Sequence, residues 1–269
     1  MTRLDRRFSN GFQFTASYAL SLFKAFSADA LGLGGAPTDL NNLRADFGPA
    51  GLDRKHRFVI SSVYELPFYK SDSSFWKRNV LGNWTFSFIS TMFSGLPQSV
   101  FLPNNIDLSA SGTFATYLPG TGPGSIGRSI RSVGELNELI TAYNSNIGSL
   151  PNTTACSFDA TLRCDLYDQE IFPIGLLPAN TQVGGDSLIS QDLRVTKTIS
   201  FNEKYRVQLI GEVFNLFNIA NLVNVNDLVL PIEGTPAGEI TTLRPTQRST
   251  SVFGTGGPRA FQFGARFVF

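Results

Sequence analysis

Residues 257–269 read GPRAFQFGARFVF. Phe261, Phe263, Ala265, Phe267 and Phe269 share one parity, and Ala260, Gln262, Gly264, Arg266 and Val268 share the other. Strict alternation means a β-strand with two unlike faces. In a soluble protein the phenylalanine face would meet a core. In an outer-membrane barrel it would meet lipid, and the glutamine and arginine would meet an aqueous lumen. One strand does not separate these cases, so the rest of the chain must.

The composition suits either case. The 269 residues carry a net charge of +1, which gives no electrostatic reason to propose a nucleic-acid partner. Mean hydropathy is +0.01, a value that a transmembrane barrel shares with soluble proteins because every second residue faces water. The longest charge-free run, Asn79 to Ile106, is interrupted by Gly82, Gly95, Pro97 and Pro103 and alternates apolar residues with Thr and Ser. It is not a membrane helix. The N-terminal MTRLDRRFSNG has no apolar centre and does not read as a signal peptide. An export signal is therefore expected on sequence upstream of Met1.

Seven segments alternate in this way. Thr2 to Phe8 is the first. The second sets Phe12, Phe14, Ala16, Tyr18, Leu20 and Leu22 against Gln13, Thr15, Ser17, Ala19 and Ser21. The third groups Phe58, Ile60, Ser62, Tyr64 and Leu66. The fourth sets Trp84, Phe86, Phe88 and Met92 against Thr85, Ser87 and Thr91. The fifth sets Leu193, Val195 and Ile199 against Asp192, Arg194, Thr196 and Thr198. The sixth sets Tyr205, Val207, Leu209, Gly211 and Val213 against Arg206, Gln208, Ile210 and Glu212. Residues 257–269 supply the seventh. Lys197 falls on the apolar parity of the fifth; near a strand end it can snorkel to water, and at mid-membrane it would count against the membrane reading.

The connections decide between the two readings. Ser9-Asn10-Gly11 is a tight hairpin turn, and a short turn lies at Asn202-Glu203. The other connections run to roughly thirty, sixteen, ninety and forty residues. Compact soluble domains mostly use loops under about a dozen residues. Outer-membrane barrels combine short periplasmic turns with long extracellular loops. Ten or eleven residues at about 3.3 Å each, tilted near 45°, cover the apolar band of such a membrane. Phe8, Phe12, Trp84, Tyr205 and Phe269 stand near strand ends, as interfacial girdles require. The expected fold is all-β: an antiparallel transmembrane β-barrel segment of about seven strands with long extracellular loops. Residues 97–187 form the longest loop. Within it, Ser132-Val133-Gly134-Glu135 resembles a capping box, and Val133, Leu136, Leu139, Ile140 and Tyr143 keep helical spacing. A short helix is expected over about 133–144.

Cys156 and Cys164 bracket CSFDATLRC. A local disulfide suits an oxidising compartment; two free thiols are the alternative. His56 is the single histidine and reads as a rim residue. GTGPGSIGRS at 120–129 lacks the G-K-[ST] of a phosphate loop and reads as a turn-rich segment. Asp165, Asp168 and Glu170 match no standard calcium loop and read as a solvated acidic patch. Arg206, Glu212 and Arg266 fall on the lumen face, where charge pairing is expected. No Ser/His/Asp or Cys/His set is arranged for catalysis. No enzyme, metal or cofactor is expected.

From about residue 188 onward the sequence resembles the C-terminal part of TonB-dependent outer-membrane receptors. SQDLRVTKTISFNEKYRVQLIGEVFNLFNIAN, residues 190–221, carries Glu212, Asn215, Phe217 and Asn218 in the E-x-x-N-x-[FL]-[ND] pattern of their penultimate strand. FGTGGPRAFQFGARFVF, residues 253–269, resembles their final strand, which ends on an aromatic residue. GRSIRSVGELNELI, residues 127–140, is similar to the group with an N-terminal carboxypeptidase-regulatory-like domain. The resemblance implies a barrel of about twenty-two strands, of which this chain supplies the last third. It also implies a fragment or an internal start at Met1. The partners it implies are outer-membrane lipid, the remainder of the receptor barrel and its plug, and TonB through the N-terminal part. Barrel-assembly machinery would read Phe261, Phe263, Phe267 and Phe269. The implied function is uptake of a bulky solute. A stand-alone outer-membrane pore or adhesin is the second expectation, and a secreted β-sandwich binding module the third.

Overall fold

A computed structural model describes residues 1–26, 37–103, 106–113, 116–179, 181, 183, 187–202, 204–223, 228–229, 247–248 and 257–269. Glu203 and most of the sixth-to-seventh connection lie outside the described residues.

Alternation produces seven strands in one sheet. They are β1 (Thr2–Ser9), β2 (Phe12–Leu20), β3 (His56–Glu65), β4 (Trp84–Phe93), β5 (Leu188–Ser200), β6 (Arg206–Phe214) and β7 (Ala260–Val268). Each strand pairs with its sequence neighbours, so the sheet is an antiparallel meander. Strands β1 and β7 are its two edges.

Register keeps the two parities apart across the whole sheet. Phe12 lies opposite Tyr64, and Tyr18 opposite Phe58. Phe58 then faces Met92, and Tyr64 faces Phe86. Phe86 and Phe88 meet Val195 and Leu193, which meet Gly211 and Val213. Those two meet Phe263 and Phe261, while Leu209 meets Ala265. A one-residue slip anywhere would turn a whole strand over. Gly211 has no side chain of its own to offer; a Cβ there would lie 3.7 Å from the Phe263 ring.

The β1–β2 turn shows why its residues were chosen. Asn10 and Gly11 both have positive φ, 52° and 77°, as a two-residue hairpin turn demands. A Cβ on Gly11 would lie 2.6 Å from the Glu65 carbonyl oxygen. Strand β1 departs from the clean pattern. Its register is irregular between Arg6 and Ser9, and Arg6 shares the apolar face with Phe14. Its guanidinium sits 5.3 Å from the Phe12 ring centroid, an arrangement that keeps a cation on an aromatic surface.

Lys197 differs from expectation. It is only 7% exposed, so it does not snorkel to water. Its ammonium donates to the Gly82 carbonyl and lies 4.9 Å from the Trp84 ring centroid.

The hydrophobic core is not in the sheet. Every residue of the buried cluster lies between Val100 and Leu177, in the long β4–β5 connection. On the sheet itself Phe261 and Phe263 are 64% and 82% exposed. Among the described residues the remaining sheets are two-stranded pairs, so the apolar face has no second sheet against it and the sandwich expectation fails. Among the described residues no helix is long and apolar enough to cross a membrane.

The membrane reading makes the faces unequal. Ala265→Arg puts a charge among Leu209 and the phenylalanines, at a cost of about 2–4 kcal/mol at mid-membrane. Gln262→Arg puts it opposite Glu212. Heat-modifiable gel shift should show a large loss of assembled protein for Ala265→Arg and near-normal assembly for Gln262→Arg. The connections give a second test. A cysteine at Ser145 should react with an impermeant thiol reagent on whole cells, and one at Asn202 should not. Labelling at Asn202 alone would invert the topology.

Candidate functional site

The candidate site is the polar face of the sheet together with the structure above it. Two ion pairs lie on that face, Arg3–Asp5 and Arg194–Glu212. Asp5 accepts from Arg3 Nε and from Thr15 Oγ1, both at 2.7 Å. Arg194 Nε donates to Glu212 Oε1 at 2.5 Å. Register puts Gln208 opposite Arg266 and Glu212 opposite Gln262. Arg206 lies at the short-turn end, where it lines a cleft with Lys70, Arg78, Asn83, Ser200 and Asn202.

The residues from Glu212 to Asn218 build the exit of β6. Asn215 and Asn218 have φ of 50° and 52°, a region that asparagine tolerates better than other non-glycine residues. Asn215 is 1% exposed. Its Nδ2 donates to the Ile219 and Gly257 carbonyls at 2.8 and 2.6 Å. Its Oδ1 accepts from the Ile219 amide at 2.9 Å. Its own amide donates to Asp192 Oδ1 at 2.9 Å. Asn218 Oδ1 accepts from the Arg259 amide at 3.2 Å. Phe217 points outward and is 67% exposed. The buried asparagine therefore ties the end of β6 to the approach to β7 and to β5. Every polar atom of its amide is committed to the chain itself.

Above the long-connection end, the β4–β5 connection folds on its own core. Helix α1 (Val133–Asn146) starts where Ser132 Oγ accepts from the Glu135 amide at 3.2 Å, a hydroxyl capping an otherwise unpaired helix donor. The Glu135 carboxylate accepts from the Arg131 amide at 2.7 Å. Leu136, Ile140 and Tyr143 form its buried face. Burial pushes the Tyr143 phenol well above its ordinary pKa. Asn137 and Asn144 each clamp a passing irregular segment twice. Asn137 bonds the Leu177 amide and carbonyl, both at 2.9 Å. Asn144 bonds those of Ile174, both at 2.8 Å. Sequence reading missed this pair. Two poor helix formers seven residues apart on one helical face were the available signal.

The β2–β3 connection joins this cap. Asp46 is 2% exposed and accepts from Thr38 Oγ1 at 2.8 Å and from Tyr117 hydroxyl at 3.1 Å. Arg128 Nη2 donates to the Asp53 carbonyl at 3.0 Å and approaches its carboxylate at 3.3 Å. Gly124, at φ 63°, is needed for close packing: a Cβ would lie 2.6 Å from Pro97 Cβ. The glycine-rich 120–129 segment is thus a set of cap turns. Between cap and strand ends lies a cleft of about 380 Å³, lined among others by Lys55, His56, Arg128, Arg131, Ile126 and Val183. His56 begins β3 at this rim, and its Nδ1 lies 2.8 Å from the Tyr18 hydroxyl.

Asp165 corrects the expected solvated patch. It is 1% exposed and accepts from the amides of Asp107, Tyr167 and Gln169 at 2.8–3.0 Å. A carboxylate wrapped by amides organises a turn and does not face water. Asp168 instead accepts from the Ser157 hydroxyl and amide, which hold its carboxyl below the usual range. Burial alone would raise Asp107, but the Ser109 hydroxyl and the amides of Gly112, Ser109 and Ala110 outweigh it and depress its pKa. Cys156 and Cys164 are joined in a disulfide with Cα atoms 5.0 Å apart. Among the described residues no three His, Cys, Asp or Glu side chains gather as a metal site.

A meander with an apolar face, a polar face that carries ion pairs and a folded cap over its long connections defines the class of outer-membrane barrel walls. The chain belongs to the family described as outer membrane beta barrel domain, which it matches over residues 1–262. Neither a curated protein nor a solved structure matches it. Its place is the outer membrane, with lipid against the apolar face.

Asn215→Ala removes three side-chain hydrogen bonds and the residue type that tolerates the positive φ. A buried network of this kind should cost about 1–3 kcal/mol. Urea titration of the assembled protein, followed by gel shift, should show a lower midpoint. Phe217→Ala should leave it nearly unchanged.

Proposed function

We propose that this chain is the C-terminal barrel portion of a TonB-dependent receptor and takes part in uptake of a bulky solute, not in enzymatic chemistry. The observation that carries this reading is the Glu212–Asn218 segment. It has the spacing of the receptors' penultimate strand, and its asparagine clamps β6 to β5 and to the approach to β7. A folded cap suits a surface that captures a large ligand better than one that admits small ions. Among the described residues β1 and β7 are the edges of the sheet, which supports completion by further strands, because backbone groups left open to lipid cost several kcal/mol each. In this reading the plug and the TonB contact come from other parts of the receptor. Phe261, Phe263, Phe267 and Phe269 serve the barrel-assembly machinery as a terminal signal.

The runner-up, a stand-alone pore, shares the polar wall. Planar-bilayer recording on the whole protein separates them. A plugged receptor should show no steady conductance, and formaldehyde cross-linking in cells should recover it with TonB. Sustained open channels, together with no TonB adduct, would replace the receptor by the pore.

A further inference from the structure

The β3–β4 connection, residues 66–83, breaks the rule of its own side of the sheet. The other two connections there are the Asn10-Gly11 turn and residues 201–205. This one is longer and exposes large apolar residues: Phe68 at 61%, Phe75 at 41%, Trp76 at 74%, Val80 at 53% and Leu81 at 52%. Exposed apolar side chains in such density mark an interaction surface.

The segment is held firmly. The Arg78 amide donates to Ser74 O at 3.1 Å, and the Gly82 amide to Lys77 O at 3.0 Å. The second bond spans five residues and makes Lys77–Leu81 a π turn. Phe75 and Trp76, at the start of this turn, meet edge-on with ring centroids 5.9 Å apart. Asn79 is 6% exposed and bonds the Ser200 amide and carbonyl at 2.9 and 3.2 Å. Gly82 permits the return: a Cβ would lie 2.7 Å from Tyr69 O.

Two bonds show which way the turn leans. Trp84 Nε1 donates to Val80 O at 3.1 Å, and Lys197 Nζ donates to Gly82 O. Trp84 and Lys197 are opposite one another on the apolar parity of the sheet. The carbonyls of Val80 and Gly82 are therefore drawn to the lipid-facing side. Arg78 and Asn83 line the cleft shared with Ser200 and Arg206, both of the polar parity. An aromatic band lies at the same end of the sheet. Tyr205 stacks on Phe267 at 6.1 Å, Phe267 on Phe269 at 6.0 Å, and Phe12 meets Tyr64 edge-on at 6.2 Å.

We propose that residues 66–83 form an interfacial anchor in the periplasmic leaflet of the outer membrane. Phe75, Trp76, Val80 and Leu81 enter the boundary between headgroups and acyl chains, and exposed Lys77 reaches the lipid phosphates. Tryptophan and an adjacent cation are the residues that such a boundary selects. The inference rests on the outer-membrane fold and the side assigned to the short turns, and not on the TonB reading.

Nitroxide labels at Trp76→Cys and Leu81→Cys test it, with Asn202→Cys as the aqueous reference on the same side. The whole protein is reconstituted in phosphatidylethanolamine–phosphatidylglycerol vesicles. Collision rates with oxygen and with a water-soluble nickel chelate are measured at each site. The oxygen-to-nickel ratio should be several-fold higher at 76 and 81 than at 202. Equal ratios at the three sites would overturn the proposal. Labels at 76 and 81 shielded from both reagents would also overturn it, in favour of a protein partner covering the patch. The two separate label sites keep the test open if one substitution blocks assembly.

Discussion

A backbone amide or carbonyl in hydrocarbon has nothing to bond with except another stretch of chain, and leaving one open costs several kcal/mol. Everything in the seven-stranded sheet follows from that. Each inner strand must be paired on both sides, over its full membrane height. Each pairing must also keep the apolar parity outward. The registers meet both demands from β2 through β7, so Phe12, Tyr64, Phe86, Val195, Gly211 and Phe263 fall on one continuous surface.

The same constraint explains why the protein has its buried core away from the strands. A barrel wall is one layer thick, and its apolar face is solvated by lipid. It needs no internal apolar partner. The long β4–β5 connection has water around it and must bury its own apolar residues. It does so with Val100, Leu136, Ile140 and Ile174 at its centre. Polar side chains then do what regular strand pairing does elsewhere: Asn137, Asn144, Asp165 and Asp46 satisfy backbone groups of an irregular chain.

Much of this was legible in the residues. Alternation located the strands, because side chains on a strand change face at every step. Ser132 and the spacing of Leu136, Ile140 and Tyr143 located α1, because a helix needs a cap and a stripe. The Asn10-Gly11 turn announced itself through the positive φ it requires. Other features were not legible. Asp165 read as solvated because nothing local says that the Asp107 amide, 58 positions away, will donate to it. Lys197 read as a snorkelling cation because its partner, the Gly82 carbonyl, lies 115 positions away.

The sequence by itself determined which residues are strands, which face of each is apolar, and where the chain must turn. Those properties depend on neighbours one to four positions apart. Only the tertiary structure decided which strands pair and in what register, what covers Asp46 and Asn215, and that the two long connections preceding β3 and β5 share one cap. It also decided that the 66–83 turn is tied to the ends of β4 and β5 through Val80, Gly82 and Asn79. These outcomes depend on contacts across tens of residues, and such contacts form only when the sheet has brought their partners together.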